Sequence, residues 1–504
     1  MQVVTASEMY EIDRFTMEEI GLSGIMLMEN AGQAFVQKAL PYLHKDQKIA
    51  ILIGSGNNGG DGFVIARILK SLEFQADAIL IVAEEKLKGD ALYHYEIFRK
   101  SGYDVHPITN VNILQNYDCI IDAMLGIGVK GELKSPYSEL IAACNNLKKL
   151  KLAVDIPSGV PADGNHPINL AFKADVTITL QHPKISAFTY PARDYYGKLE
   201  VVSIGIPKKA TQSVVKLERR CWTEKEVRKT MQRRSPSSHK GMHGKGLVIG
   251  GSLDMTGAPV MTTKAVLRAG GGLTTLAIPD VIHPIVASQI VEAMFSPWET
   301  ENGHFNGELG TDVSRFDAVA FGPGVGRESG GEKILSTLLD NAKVPLIVDA
   351  DGLFYLTRLK ERLKTRPYPT ILTPHTGEFA RLTGCSIEEI EKNRFQLSRK
   401  FALEYGVYLV LKGPFTIVTT PSGSQYVNTS GNAALAKGGS GDVLTGIILA
   451  FVMNHENLQE AISNAVYVHG KAADVLVNEN HSMIDCIATD IIEGLPSVFR
   501  TLNI

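Results

Sequence analysis

From residue 48 onward, short apolar runs alternate with stretches whose apolar residues recur every three or four positions. The runs 48–53, 78–82, 119–123, 152–155 and 176–180 have the length of strands, and 63–72 has helical spacing. Such alternation predicts βαβ units around a mostly parallel sheet. Ahead of it, residues 7–43 carry a helical pattern, with Ser7 placed to cap its start. The rhythm breaks between residues 206 and 245, where twelve Lys or Arg stand against three Glu and Ser235-Pro236-Ser237-Ser238 interrupts the pattern. A solvated linker or surface helix accounts for most of those charges, and a domain boundary is predicted near residue 215. Alternation then resumes. Residues 247–249, 274–278, 318–321, 346–348, 370–372 and 407–411 predict strands, and 262–269, 332–341, 378–382 and 388–405 predict helices. The fold class is α/β in two domains, 1–215 and 220–504.

Composition narrows the setting. A chain of 504 residues, 44% hydrophobic and 21% charged, suits a globular protein of two or more domains. A net charge of -3 gives no global attraction to nucleic acid or to an acidic membrane surface. No apolar run approaches the roughly 20 residues that span a bilayer. The first 21 residues are acidic and lack the apolar core of a signal peptide. The five cysteines (Cys119, Cys144, Cys221, Cys385, Cys486) form no CxxC pair, which predicts reduced structural thiols in a cytoplasmic protein and no zinc site.

Two glycine turns carry the candidate chemistry. In the C-terminal half, Gly438-Gly439-Ser440-Gly441-Asp442 runs straight into the apolar stretch 443–451. A helix opening there presents free N–H groups and its positive dipole end, an anion site. A carboxylate at that point makes sense as a base that takes a proton while a phosphoryl group moves, so Asp442 is the candidate base. In the N-terminal half, Gly54-Ser55-Gly56-Asn57-Asn58-Gly59-Gly60-Asp61-Gly62 follows a strand and opens a helix. Gly54, Gly56 and Gly59 fit a dinucleotide fingerprint, but the two Asn and the Asp lie outside it. Asp122 ends a strand and precedes a second glycine turn from Gly126 to Gly131, and Asp155 ends another before Ile156-Pro157-Ser158-Gly159. Such oxygen ligands suit a hard cation, and with so few carboxylates a monovalent one. Each Asp alone reads better as the cap of a turn than as a ligand. Together, beside two glycine turns, they predict a site.

The N-terminal segments Glu29-Asn30-Ala31-Gly32, 54–62, Asp122-Ala123-Met124-Leu125-Gly126 and Asp155-Ile156-Pro157-Ser158-Gly159 resemble the NAD(P)H-hydrate epimerase family. The resemblance implies a Rossmann-like fold over 1–215 and interconversion of the R and S forms of hydrated NADH and NADPH. It implies substrate contacts at Asn57, Asn58, Gly59, Gly60, Asp61 and Asp155, and along Gly126, Ile127, Gly128, Val129, Lys130, Gly131 and Glu132. It also implies potassium at Asn58, Asp122 and Ser158. Ser55 replaces the Asn frequent in the family. Asp155 is the candidate acid–base group, protonating the departing hydroxyl and later deprotonating returning water.

In the C-terminal half, the segments Thr256-Gly257-Ala258-Pro259, 322–326, 373–378, Lys412-Gly413 and 436–444 resemble the ribokinase-like superfamily, and within it the ADP- or ATP-dependent (S)-NAD(P)H-hydrate dehydratases. This implies hydrate contacts at Ala258, Gly324, His375 and Asp442. It implies nucleotide contacts at Lys412, Gly413, Pro414, Phe415 and Thr416, and along Asn432, Ala433, Ala434, Leu435, Ala436, Lys437, Gly438, Gly439, Ser440 and Gly441. Taken singly, His375 reads equally as a structural histidine and Lys412 as a surface charge. Magnesium with ADP is the implied cofactor, ADP being the habit of the bacterial form. The whole chain resembles the bifunctional NAD(P)H-hydrate repair enzymes, and homo-oligomerisation is expected. The C-terminal motifs alone also fit a vitamin or sugar kinase with a non-catalytic nucleotide-binding N-terminal domain. The epimerase-like half argues against that alternative, because it supplies the partner activity for a hydrate.

Overall fold

A computed structural model describes residues 1–129, 131–164 and 166–503. The chain forms two compact units, Met1–Glu218 and Arg219–Ile504. Lys130 lies outside the described residues.

The first unit is built on seven parallel strands: β1 (Lys48–Ile53), β2 (Gln75–Leu80), β3 (Val105–Pro107), β4 (Cys119–Ala123), β5 (Leu150–Val154), β6 (Val176–Leu180) and β7 (Lys198–Val202). Their order is β3-β2-β1-β4-β5-β6-β7. Alternate side chains of β1 serve two cores. Ile49, Ile51 and Ile53 pack on one face with Phe35 and Phe63, and Ala50 and Leu52 pack on the other with Leu140 and Ile141. Strand order reverses between β1 and β4, which opens a crevice at the carboxyl ends of those two strands.

Two local expectations are corrected. The pattern over 7–43 is not one helix but Ala6–Phe15, a wide turn at Thr16–Ile20 and a second helix Gly24–Ala39. Gly21 at φ +87° ends the wide turn, and Ser23 caps the second helix. The cap of the first helix is Thr5, not Ser7, in a capping box with Glu8. The helix expected from residue 63 starts at Asn57, so the glycines themselves form its first turns.

The second unit holds β8 (Arg219–Trp222), β9 (Lys245–Ile249), β10 (Leu273–Pro279), β11 (Met294–Trp298), β12 (Thr300–Glu301), β13 (His304–Phe305), β14 (Ala318–Phe321), β15 (Leu346–Val348), β16 (Thr370–Leu372), β17 (Tyr408–Leu411), β18 (Ile417–Thr419) and β19 (Gln425–Asn428). Ten of them make one sheet in the order β11-β10-β9-β14-β15-β16-β17-β18-β19-β8, and β12 pairs with β13 alone. From β11 to β17 every pairing is parallel, and β18 is antiparallel to both neighbours. Val248, Ala320 and Ile347 face one core, and Leu247, Val319, Phe321 and Leu346 the other. Strand order reverses between β9 and β14, again marking a ligand crevice. The basic stretch is less of a linker than expected, since it contains β8, paired with β19, and the helix Glu224–Thr230. The helix expected over 388–405 is two, Ile387–Lys392 and Arg394–Tyr405, joined at Asn393. Among the described residues no helix is long and apolar enough to cross a membrane.

Candidate active sites

The crevice of the first unit is a cavity of about 450 Å³. Asn57, Asn58 and Asp61 reach it from the helix Asn57–Ser71, Gly126 to Val129 from the loop after β4, and Asp155 from the end of β5. Gly54 stands where β1 meets that loop, and a Cβ there would overlap the Met124 carbonyl oxygen. Only glycine permits that approach. Asp155 adopts φ +65°, a conformation rare for a residue with a side chain and a mark of functional sites. Its Oδ1 accepts hydrogen bonds from Thr179 Oγ1 (3.0 Å), the Leu180 N–H (2.9 Å) and the ammonium of Lys184, itself only 1% exposed. Burial, reinforced by the Asp155 and Asp13 charges, pushes the Asp61 carboxyl well above the usual carboxylate range. Burial likewise lifts Asp13 to about 6, against the pull of Lys184.

Beside the cavity, Asn58, Asp122 and Ser158 are linked through the Leu125 backbone. Asn58 Nδ2 donates to the Leu125 carbonyl (3.0 Å), the Leu125 N–H donates to Ser158 Oγ (2.9 Å), and Ser158 Oγ donates to Asp122 Oδ1 (2.6 Å). Asp122 Oδ2 accepts the Ser158 N–H (2.7 Å), and Oδ1 accepts the Met124 N–H (3.1 Å). Asp122 therefore does cap its turn, and it does so while fully buried among other oxygens. Gly131 and Glu132 do not line the cavity; Glu132 accepts a hydrogen bond from Asn169.

In the second unit the carboxyl ends of β14 to β17 meet the start of the helix Ser440–Val452. Gly439 at φ +87° turns the chain so that the N–H groups of the first helical turn face the crevice. Beneath that turn, Asp349 is 1% exposed and accepts hydrogen bonds from Lys412 Nζ (2.9 Å) and Thr445 Oγ1 (2.6 Å). Burial opposes its charge, but Lys412, Thr445 and Thr373 outweigh burial and hold its carboxyl below the usual range. Lys412 is thus no surface charge. It is the cation of a buried pair, with Glu378 4.0 Å from its Nζ. Asp442 is raised to about 7, first by burial and then by the Asp349 charge, with Lys412 opposing. Ala350, between Asp349 and Asp351, sits at φ 48°; Asp351 on its far side accepts the Gly326 N–H (3.0 Å).

The other predicted contacts fall around this core. Gly324 and Ala258 are adjacent, since a Cβ on Gly324 would lie 3.0 Å from that of Ala258. His375 caps the helix Thr376–Thr383, its Nδ1 accepting the Gly377 N–H (3.0 Å), so its other ring nitrogen carries the proton, 3.5 Å from Glu378 Oε1. Gly413 to Thr416 form the turn between β17 and β18. The Asn432 side chain is engaged within the protein: Oδ1 accepts the Ala434 N–H (3.0 Å), and Nδ2 donates to Asp474 (3.0 Å). Only its backbone is left for a nucleotide. Lys437 binds the Ile484 carbonyl across the loop that follows the helix Leu458–Glu479. The sequence pattern passed over Asp349, Thr445, Lys184 and Asp13. Asp349 had a findable signal, because it follows β15 as Asp122 and Asp155 close their strands.

Comparison with known proteins follows the same division. The family profile described as NAD(P)H-hydrate dehydratase matches residues 246–497, and that described as YjeF-related protein N-terminus matches 24–186. The bifunctional NAD(P)H-hydrate repair enzyme Nnr of Thermofilum pendens is 35% identical over 515 aligned positions, covering 100% of this chain and 97% of that enzyme. This chain belongs to the bifunctional NAD(P)H-hydrate repair enzyme family. The Escherichia coli member is 32% identical over 96% of this chain and 92% of its own length. Among solved structures, a ribokinase-like superfamily protein from Enterococcus faecalis is 26% identical, with a TM-score of 0.50, over 57% of this chain and 97% of its own. The ADP/ATP-dependent NAD(P)H-hydrate dehydratase of Bacillus subtilis, co-crystallised with ATP and Mg2+, is 33% identical over 57% of this chain and 99% of its own, with a TM-score of 0.49. Membership of this repair family makes the second unit a ribokinase-like dehydratase fold and removes the vitamin or sugar kinase alternative.

Proposed function

We propose that the first unit epimerises the hydrates of NADH and NADPH and that the second dehydrates the S form, converting ADP to AMP and phosphate. The observation that carries the second activity is Asp442, tuned to about 7 at the mouth of a helix-end anion site. A base whose pKa lies near the working pH transfers protons best. Asp442 takes the proton of the substrate hydroxyl as that oxygen attacks the β-phosphorus of ADP and AMP departs. The Gly439–Gly441 amides and the helix dipole stabilise charge on the moving phosphoryl group. Phosphate then leaves carbon 6 of the ring, carbon 5 loses a proton, and the dihydropyridine is restored. Lys412, fixed by Asp349, supplies a positive charge beneath the same turn. A magnesium ion brought with the nucleotide would supply positive charge to offset that of the phosphates. The Asp349, Asp351, Glu378 and Asp442 carboxyls around the crevice suit such a cation-bearing nucleotide. ADP as the nucleotide rests on the family resemblance.

For the first unit, the reading rests on the cavity with Asp155 at its edge. Potassium at Asn58, Asp122 and Ser158 is supported by the hydrogen-bond network that ties the three together through the Leu125 backbone, where the Asp122, Ser158 and Leu125 oxygens are hard donors with one carboxylate among them. Work in the cytoplasm is supported by five free cysteines, four of them buried. Homo-oligomerisation is supported by Met483, Ile484 and Ile487, exposed together on one loop. The test of the two-site reading is separation by substitution. Asp442→Ala should abolish dehydration and leave epimerisation intact, and Gly54→Ala should do the reverse. A single substitution that removed both activities in a folded chain would sink the reading.

A further inference from the structure

Asp155 is poorly equipped to run epimerisation alone. Three donors converge on its Oδ1, which leaves Oδ2 for the substrate. Inverting carbon 6 requires a hydroxyl to leave one face of the ring and water to arrive on the other, and each event needs its own proton partner. A second carboxyl is available on another wall. The helix Ala6–Phe15 lies outside the segment matched by the N-terminal family profile, yet it faces the cavity with Met9, Tyr10 and Asp13. Positions 9, 10 and 13 share one helix face by their spacing. Tyr10 reaches the loop after β4, where a Cβ on Gly128 would come within 2.8 Å of its hydroxyl. The helix is therefore a fitted wall of the site. Among the described residues no hydrogen bond or ion pair holds the Asp13 carboxyl. Its charged surroundings are Asp61 from the helix Asn57–Ser71, Asp155 and Lys184 from the ends of β5 and β6, Asp90 from the helix Gly89–Lys100, and Tyr10 on its own helix.

We propose that Asp13 is the second acid–base group of hydrate epimerisation, acting across the cavity from Asp155. The proposal rests on the epimerase reading of this unit. One carboxyl gives its proton to the departing hydroxyl: the C–O bond breaks, water leaves, and the ring nitrogen's lone pair fills the gap as an iminium. Water then attacks carbon 6 on the opposite face and gives its proton to the other carboxylate. The net change is inversion at carbon 6 with one proton passed from one carboxyl to the other, and exchange with solvent resets the pair. Burial that keeps Asp13 protonated up to about pH 6 suits it to the acid role, with Asp155 Oδ2 as the base.

The experiment follows epimerisation of purified R-NADHX in water enriched in oxygen-18, using the full chain and its Asp13→Asn and Asp13→Glu variants. The same samples are assayed for dehydration. Asp13→Asn should lower kcat by about 100-fold or more, with KM within twofold, and slow oxygen-18 entry in step. Asp13→Glu should recover at least a tenth of the rate, and the fall in rate as pH rises through about 6 should vanish in Asp13→Asn. A kcat within threefold of the unsubstituted chain, a loss carried by KM, or equal losses in both variants would overturn the proposal. No epimerisation by the unsubstituted chain would remove the functional reading together with it.

Discussion

Replacing Lys412 with Met tests whether the buried pair beneath the phosphate turn is held by charge. Asp349 is 1% exposed and Lys412 19%, so the substitution strands a carboxylate in a site closed to water. Removing one partner of such a pair costs about 3–5 kcal/mol. Asp349 keeps its bond from Thr445, so the low end applies, about 3 kcal/mol. Both tryptophans of the chain, Trp222 and Trp298, are buried in the second unit, so their fluorescence reports its unfolding alone. With a urea dependence of about 3 kcal/mol per molar, the midpoint should fall by about 1 M. The substitution also removes a charge that lowers the pKa of Asp442, so the acid limb of dehydration should move above its starting position near pH 7. Removing both charges with Lys412→Met and Asp349→Leu should recover most of the stability but none of the activity. An unchanged midpoint in Lys412→Met, together with an unchanged pH profile, would refute the coupling of Lys412, Asp349 and Asp442.

Three further outcomes are expected. First, kcat/KM for dehydration should rise with pH with unit slope up to about 7 and then level, because Asp442 must be ionised to act as base; a profile flat from pH 5 to 8 would contradict that. The sign for stability is opposite: a carboxyl raised from 3.8 to about 7 on folding makes the folded unit bind the extra proton, so stability should fall between about pH 4 and 7. Second, Gly54→Ala should abolish epimerisation, since its Cβ overlaps the Met124 backbone, while the tryptophan unfolding transition of the other unit stays in place. Third, Asp474→Ala should raise KM for the nucleotide by about tenfold with little change in kcat, because Asp474 holds both the Gly431 N–H (2.9 Å) and Asn432 (3.0 Å) ahead of the phosphate turn; tenfold is about 1.4 kcal/mol, in the range of a charge-assisted hydrogen bond. An unchanged KM would make that contact dispensable.

The features legible in the sequence were those written in consecutive residues. Gly438 to Asp442 and Gly54 to Gly62 announced helix-opening turns because glycines and a following apolar run are local signals, and the parallel strands followed from equally local runs. Charges whose meaning depends on a distant partner were not legible. Lys412 looked like a surface lysine because Asp349, 63 positions away, gives no sign in sequence that it lies beneath the same turn. Lys184 and Asp155 are 29 apart and meet only because β5 and β6 are adjacent. The Ala6–Phe15 helix was seen only as part of a longer helical stretch, and the turn at Thr16–Ile20 that ends it carries no strong breaker before Gly21. The strands β18 and β19 were missed because they pair as a hairpin with no helix between them, outside the strand–helix alternation that marked the parallel strands.

The most direct measurement of the two-activity account is recovery of reduced-nicotinamide absorbance from mixed R and S NADHX, with the full chain, magnesium and either ADP or ATP. The account predicts full recovery that depends on nucleotide, with the R fraction cleared faster than spontaneous epimerisation allows. Recovery that stops at the S fraction would contradict the epimerase half, and no recovery with either nucleotide would contradict the account as a whole.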